Sequence, residues 1–410
     1  MNERQRTIYL DNHATTRLDP LVLEAMLPWL TDRYGNAGST THEMGREARG
    51  AVDVARETFA DAIGADPREV VFTGGATEST NLAILGVAAR QRRLAAAGDP
   101  PGHIVTVATE HHAVLDPVEH LEREGLAVTR LPVVPPCGGD GVPGRIRLAE
   151  LEAALRPGTF LVSVMLANNE IGVVQDVATI AEIVHAAGAI LHVDAAQAVG
   201  RVAVDVDALG IDLASFSAHK FHGPKGSGAL FVRRRGRMVR VEPLVFGGGQ
   251  ERGLRSGTLD VPGIVGLAEA ARLAGAGLDT DVPRMRALRD RLWESLAAHV
   301  PGIEVNGPGL HAADDRGRLV RLANNLNVRV PGVDGQSLLA TLAAEGLAVS
   351  SGSACSSENP RPSHVLRALG LDDDQARASL RFGLSRFTTA DEVDDAADRI
   401  ACGIARLRAM

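Results

Sequence analysis

Three cysteines in 410 residues are too few for a disulfide scaffold, and the odd count fits a reducing compartment. No apolar run reaches the ~18–20 residues that a membrane span requires. The opening residues, Met1 to Arg6, carry charges of both signs and lack the apolar stretch of a secretory signal, so a cytoplasmic location is expected. Cations are outnumbered, with 43 Lys+Arg against 51 Asp+Glu and a net charge of −8, which argues against a broad electrostatic grip on nucleic acid. Lysine is scarcest of all. Lys220 and Lys225 are the only two, and every other basic residue is arginine. Chemistry that needs a side-chain primary amine therefore has two candidates.

The length favours one large or two medium domains with a substantial core. From about residue 50 to 232, helix-like stretches (Gly45 to Ile63, Thr77 to Arg93) separate short apolar runs. The runs are Val70 to Phe72, His103 to Val107, Phe160 to Leu166, Ala189 to Val193, Leu213 to Phe216 and Ala229 to Val232. Such alternation predicts an α/β domain with a mostly parallel sheet, whose strands are buried on both faces. Near Thr258 to Pro262 the pattern changes to long helices (Pro262 to Ala276, Asp281 to Ala298). Strand-like pieces then occur at Asn325 to Val330 and Ala348 to Ser350, with a last helix at Ala390 to Arg408. This predicts a large domain over 18–265 and a smaller α+β domain from 1–17 and 266–410. The polar segment Gly309 to Leu322 is expected to be an exposed loop.

Chemistry-bearing residues cluster just after the apolar runs, where open α/β sheets bind ligands. Ser217-Ala-His219-Lys220 places an amine that could form a Schiff base with an aldehyde cofactor; Lys225, in a following turn, ranks second. Asp194 ends a buried run, where a carboxylate needs a cation such as a pyridinium nitrogen; a helix N-cap before Ala195 accounts for it equally. Gly74-Gly75-Ala76-Thr77 suits a single phosphate on a helix N-terminus, or is an ordinary turn capped by Thr77. No dinucleotide or P-loop glycine spacing accompanies these motifs. His111 could stack on a ring or move protons, and Asn168-Asn169 could bond a ring substituent or simply form a turn. The adjacent pair His111-His112 has poor metal-ligand spacing, and no metal site is expected. Cys355, in Ser350-Ser-Gly-Ser-Ala-Cys355, is a candidate exposed nucleophile. Cys137 is loop-bound and Cys402 is expected in the core. The run Arg233 to Arg237 is expected to be a solvated turn.

As a set, these motifs resemble the cysteine desulfurases, class V aminotransferase relatives with the fold-type I architecture of pyridoxal-phosphate enzymes. The resemblance runs from Tyr9-Leu-Asp-Asn-His-Ala-Thr-Thr16 to Arg381-Phe-Gly-Leu-Ser-Arg386-Phe-Thr388. It implies that Lys220 carries pyridoxal 5'-phosphate, His111 stacks on its ring and Asp194 partners the ring nitrogen. Gln197 and Asn169 would contact the ring hydroxyl. Ala76, Thr77, Ser217 and His219 would hold the phosphate, joined by Thr258 of a second subunit, so a homodimer is implied. Arg381 resembles the arginine that binds the substrate carboxylate, and Asn36 another residue of the substrate site. The implied reaction converts L-cysteine to L-alanine, with sulfur held as a Cys355 persulfide and passed to an acceptor. A selenocysteine lyase or another class V aminotransferase is the alternative. Compared with members serving iron–sulfur assembly, this sequence stops sooner after its last helix and has a longer Gly309 to Leu322 segment. Iron–sulfur assembly and thiolation of nucleic acid or a cofactor both remain open as the sulfur's destination.

Overall fold

A computed structural model describes residues 7–95, 102–137, 140–351 and 362–409. A short β1 (Ile8–Tyr9) leads to α1 (Pro20–Leu30) and α2 (Glu43–Ala62). Alternation follows through β2 (Val70–Thr73), α3 (Ala76–Leu94), β3 (His103–Val107), α4 (His112–Arg123), β4 (Ala127–Leu131) and α5 (Leu148–Ala154). It continues with β5 (Thr159–Met165), α6 (Val177–Ala186), β6 (Ile190–Asp194), β7 (Leu213–Ser217) and β8 (Gly228–Val232). The remainder holds α7 (Val261–Ala276), α8 (Leu278–His299), β9 (Glu304–Val305), β10 (Asn325–Arg329), α9 (Gly335–Ala344) and β11 (Leu347–Ala348). Last come α10 (His364–Ala368), α11 (Asp373–Arg377), β12 (Ser379–Gly383) and α12 (Ala390–Arg408).

Local chemistry sets several of these ends. Asp19 accepts the Leu21 N–H at 2.8 Å, and Pro20 occupies the first turn of α1, where its missing N–H costs nothing. Thr389 and Glu392 form a reciprocal capping box at the start of α12. By contrast, no helix follows Asp194; residues 196–201 form turns, so the N-cap alternative for that carboxylate is corrected.

Seven strands form the large sheet in the order β2-β8-β7-β6-β5-β3-β4. Only β8 runs against the rest, pairing antiparallel with both β2 and β7. Consequently the carboxyl ends of β2, β3, β5, β6 and β7 share one edge. The first of these ends is pressed against the sheet: a Cβ on Gly228 would sit 2.5 Å from the Cα of Gly75, so only glycine allows the approach.

Ile8, Leu10 and residues from Leu288 onward build a separate core around the antiparallel sheet β12-β10-β9 and the parallel pair β1–β11. Residues of α10 and α11, such as Val365 and Ala376, pack instead into the large core. Each fully buried Leu, Ile or Val contributes roughly 1.5–3 kcal/mol. Among the described residues no single helix is long and apolar enough to cross a membrane.

Two further expectations change. Cys402 is exposed rather than core. The buried face of α12 runs through Val393, Ala396, Ala397, Ile400, Gly403 and Ile404, and Cys402 falls off that stripe although its chain neighbours are apolar. The 309–322 segment is only partly exposed: Val320 and Leu322 are buried. Arg318 bridges Asp314 and Asp176, at 2.7 and 3.0 Å, tying the loop to the large core. The arginines at 233–235 are exposed or half-buried and engaged by Asp207 and the buried Glu69.

Candidate active site

The shared strand edge opens into a cavity of about 410 Å³. Ala76, Thr77, His111, Asn169, Asp194, Gln197, Ser217, His219 and Lys220 all line it, together with Lys225 and Thr15. At one end lies the N-terminus of α3. Its cap residue is Gly75, at φ +141°, and no side chain caps it. Thr77 is therefore inside the helix, which corrects the reading of it as a cap. Backbone N–H groups of an uncapped first turn, beside the Ser217 hydroxyl and His219, suit an anion. His219 is tied to Thr15 Oγ1 at 3.1 Å, and burial, helped by Lys220 and Lys225, brings its pKa down to about 4, so it stays neutral.

Asp194, the last residue of β6, also lines the cavity. Burial pushes its carboxyl above the ordinary range; the Ala196 N–H, His111 and Lys220 pull the other way. A buried carboxylate in this state gains from a cationic partner. His111 caps α4, its Nδ1 accepting the Ala113 N–H at 3.0 Å, so in the neutral ring the proton is on Nε2. Burial holds this imidazole below its usual value. The Lys220 ammonium donates to the carbonyls of His13 and Ala14, both at 2.8 Å.

The N-terminal segment supplies groups that sequence reasoning missed. His13 is fully buried and held neutral by burial and Arg201. Asn325 donates to its Nε2 at 3.1 Å, so its Nδ1–H donates to Gln197 Oε1, also at 3.1 Å. The Gln197 amide donates back to the His13 carbonyl at 2.9 Å, which fixes its orientation toward the cavity. Glu110 is buried beside Asp194 and raised well above the carboxylate range by burial and that neighbour; its Oε1 accepts the Met165 N–H at 2.6 Å. His13 lies within a motif the sequence did display, but nothing local signals its partners.

Three expected residues among the described ones, Arg381, Asn36 and Thr258, do not line the cavity. Arg381, buried in β12, donates to Asp11 Oδ1 at 2.8 Å and to the Asn169 carbonyl at 3.2 Å, which brings it beside the site. Its Nε has no hydrogen-bond partner among the described residues. Asn36 is exposed, and its Oδ1 accepts the Gly38 N–H at 2.8 Å. Thr258 is exposed on the loop after β8. Cys355 lies outside the described residues.

An uncapped helix start, a buried carboxylate raised by burial and a lysine, all lining one cavity, suit the phosphate, ring nitrogen and aldehyde of pyridoxal phosphate. With a mostly parallel sheet beneath, they define a fold-type I enzyme of that cofactor. The aminotransferase class-V family model matches residues 8–395, and the chain belongs to that family, among the cysteine desulfurases. A protein named cysteine desulfurase IscS, from Edwardsiella ictaluri, is 49% identical over 403 residues, covering 98% of this chain and 93% of the relative. The solved structure of a NifS-like protein superposes with a TM-score of 0.86 at 37% identity, covering 98% of this chain and 100% of that one. A structure described as SspA in complex with cysteine gives a TM-score of 0.76 at 34% identity, covering 93% and 100%.

Glu170, next to Asn169, yields a pH prediction. Burial pushes its carboxyl up to about 7, opposed by the Ser363 hydroxyl bond and by Arg381. Between the unfolded value near 4.5 and the folded value near 7 the native chain binds the extra proton. This group's contribution to stability therefore falls as pH rises through that window. Glu170→Gln is expected to stabilise the protein at pH 8, by at most ~3 kcal/mol, with the gain fading toward pH 4.5. Denaturant unfolding at both pH values checks this; an equal change at both removes the titration account.

Proposed function

We propose that this chain holds pyridoxal phosphate on Lys220 and converts L-cysteine to L-alanine, keeping the sulfur as a Cys355 persulfide for transfer to an acceptor. The observation that supports these roles is the convergence of Lys220, the buried Asp194 and the uncapped start of α3 on one cavity. When bound, the cofactor supplies an electron-withdrawing ring that accepts the electron pair left as the substrate Cα–H bond breaks. With the cofactor bound, Asp194 would balance the positive charge of the ring nitrogen, His111 would stack on the ring, and Gln197 and Asn169 would hold its hydroxyl. Ala76, Thr77, Ser217 and His219 would hold the phosphate. Lys220 Nζ takes the Cα proton and returns it. The Cys355 thiolate attacks the substrate sulfur; the Cβ–S bond breaks, its electron pair stays with carbon, and protonation completes alanine.

Arg381 binds the substrate carboxylate, with Asn36 as a further contact from the substrate side. The Asp11 pairing holds the guanidinium in place. Arg381→Ala is expected to keep the bound cofactor but weaken cysteine binding by about 10–100-fold, the equivalent of roughly 1.5–3 kcal/mol for charge-assisted bonds. Titrating the cofactor absorbance with cysteine measures this; unchanged affinity takes Arg381 out of the site.

The working form is a cytoplasmic homodimer in which Thr258 of each subunit completes the other's phosphate site. Exposure of the large apolar side chains Leu21, Leu27, Leu30, Tyr34 and Phe246 supports such an interface. The domain division proposed is 18–265 against 1–17 with 266–410, although α7, α10 and α11 of the second pack on the core of the first. The acceptor serves iron–sulfur assembly or thiolation of nucleic acid or a cofactor. With L-cysteine and a dithiol reductant the enzyme is expected to release alanine and sulfide in equal amounts; a keto acid in place of alanine overturns the reading.

A further inference from the structure

Beyond the site itself, a buried ion pair sits on the free edge of the large sheet. Arg56, on α2, donates through Nη1 and Nη2 to both carboxylate oxygens of Glu251, at 2.8 and 2.6 Å. The two side chains are 11% and 1% exposed. The pair also satisfies the outer edge of β2, which among the described strands pairs only with β8: Glu251 Oε2 accepts the Phe72 N–H at 2.8 Å and Arg56 donates to the Val70 carbonyl at 2.8 Å. The Arg56 guanidinium lies 4.5 Å from the Phe72 ring centroid. Arg252 adds a bond to the same Val70 carbonyl.

This anchoring bends the chain out of its usual range. Glu251 and Arg252 take φ of +48° and +57°, left-handed values that side-chain-bearing residues avoid unless their surroundings hold them there. The anchor continues as a closed loop. Gly257 N–H donates to Gln250 Oε1 at 2.9 Å, Gly249 N–H to Ser256 Oγ at 3.2 Å, and Arg255 pairs with Glu78 at 2.9 Å. The next residue is Thr258, exposed and outside its own chain's cavity. An apolar contact would hold the loop as firmly, but a bidentate pair also fixes its direction.

We infer that the Arg56–Glu251 pair is a positioning device for the 244–258 segment, acting through Thr258 on the cofactor site of the partner subunit. The inference rests on the homodimer reading above, with Thr258 contributed across the interface. Arg56→Leu leaves a buried carboxylate without its partner and can unfold the chain. Glu251→Gln, which keeps an acceptor for the Phe72 N–H, is therefore the main variant.

Two differently tagged chains, one Lys220→Ala and one Glu251→Gln, are co-expressed and the mixed dimer is isolated through both tags. Its Glu251→Gln chain keeps Lys220 and receives an intact 244–258 segment from its partner. Pyridoxal phosphate affinity is read by absorbance titration, and occupancy of Lys220 by borohydride trapping and peptide mapping. The Glu251→Gln homodimer is expected to bind the cofactor about tenfold more weakly than the parent, and the mixed dimer to recover the parent affinity at its single Lys220. Unchanged affinity in the homodimer overturns the inference. So does a mixed dimer as weak as the homodimer, which would mean that the pair acts within its own subunit. Thr258→Val is run in parallel against Lys220→Ala. If Thr258→Val is rescued and Glu251→Gln is not, the positioning inference alone fails. If Thr258→Val is not rescued, or no mixed dimer forms, the shared-site reading fails and the inference with it.

Discussion

Lys220→Ala is expected to lose covalently held pyridoxal phosphate and to reduce cysteine turnover by roughly 10³-fold or more, since a positioned acid–base group alone contributes about 10²–10⁴-fold. Lys220 has two tasks in the proposed mechanism, holding the cofactor aldehyde and moving the Cα proton, and no second amine is placed for both. Its ammonium is held by the carbonyls of His13 and Ala14 beside Asp194. Lys225 also lines the cavity, yet it is exposed and lies in the turn before β8. Lys225→Ala should therefore keep the cofactor attached. Borohydride reduction followed by peptide mapping decides the matter, and a pyridoxyl group found on Lys225 would sink the assignment.

The second large effect concerns Cys355. A transaminase or simple lyase needs no protein thiol, because the cofactor ring handles the electrons. A desulfurase needs a thiolate to accept sulfur, and a serine hydroxyl is far less nucleophilic toward sulfur at neutral pH. Cys355→Ser is expected to fold and bind pyridoxal phosphate, while alanine formation and the protein persulfide fall by on the order of 10³-fold. The parent enzyme, given cysteine without reductant, should gain one sulfur atom on the peptide carrying Cys355. Cys137 and Cys402 provide an internal control, since both are exposed and able to react. Sulfur on either of them would relocate the nucleophile. Undiminished alanine production by Cys355→Ser would remove the thiol from the mechanism.

Much of the large domain was legible because its central strands are buried on both faces. The runs at 103–107, 160–166, 189–193 and 213–216 became β3, β5, β6 and β7 with ends displaced by no more than a residue. The α12 helix, with its Thr389–Glu392 capping box, was placed at its observed limits. Strands without a continuous apolar run escaped notice. β4 carries Thr129 and Arg130 and its burial is partial, β12 holds a buried arginine, and β9 has two residues. The scarcity of lysine and the glycines and polar residues after each strand likewise marked most of the cavity before any fold was known.

The sequence by itself determined which residue types stand at strand ends, because propensity, capping and apolar periodicity act over a few neighbours along the chain. Only the tertiary structure decided that five of those ends share one edge, through the reversed β8. It alone joined Arg381 to Asp11 across 370 positions and His13 to Gln197 across 184. It left Asp194 without a helix to cap and Cys402 outside the core. The physical reason is that a buried polar group must find a partner wherever the chain brings one, and strand direction and register set that meeting, whereas local sequence records only the need for it.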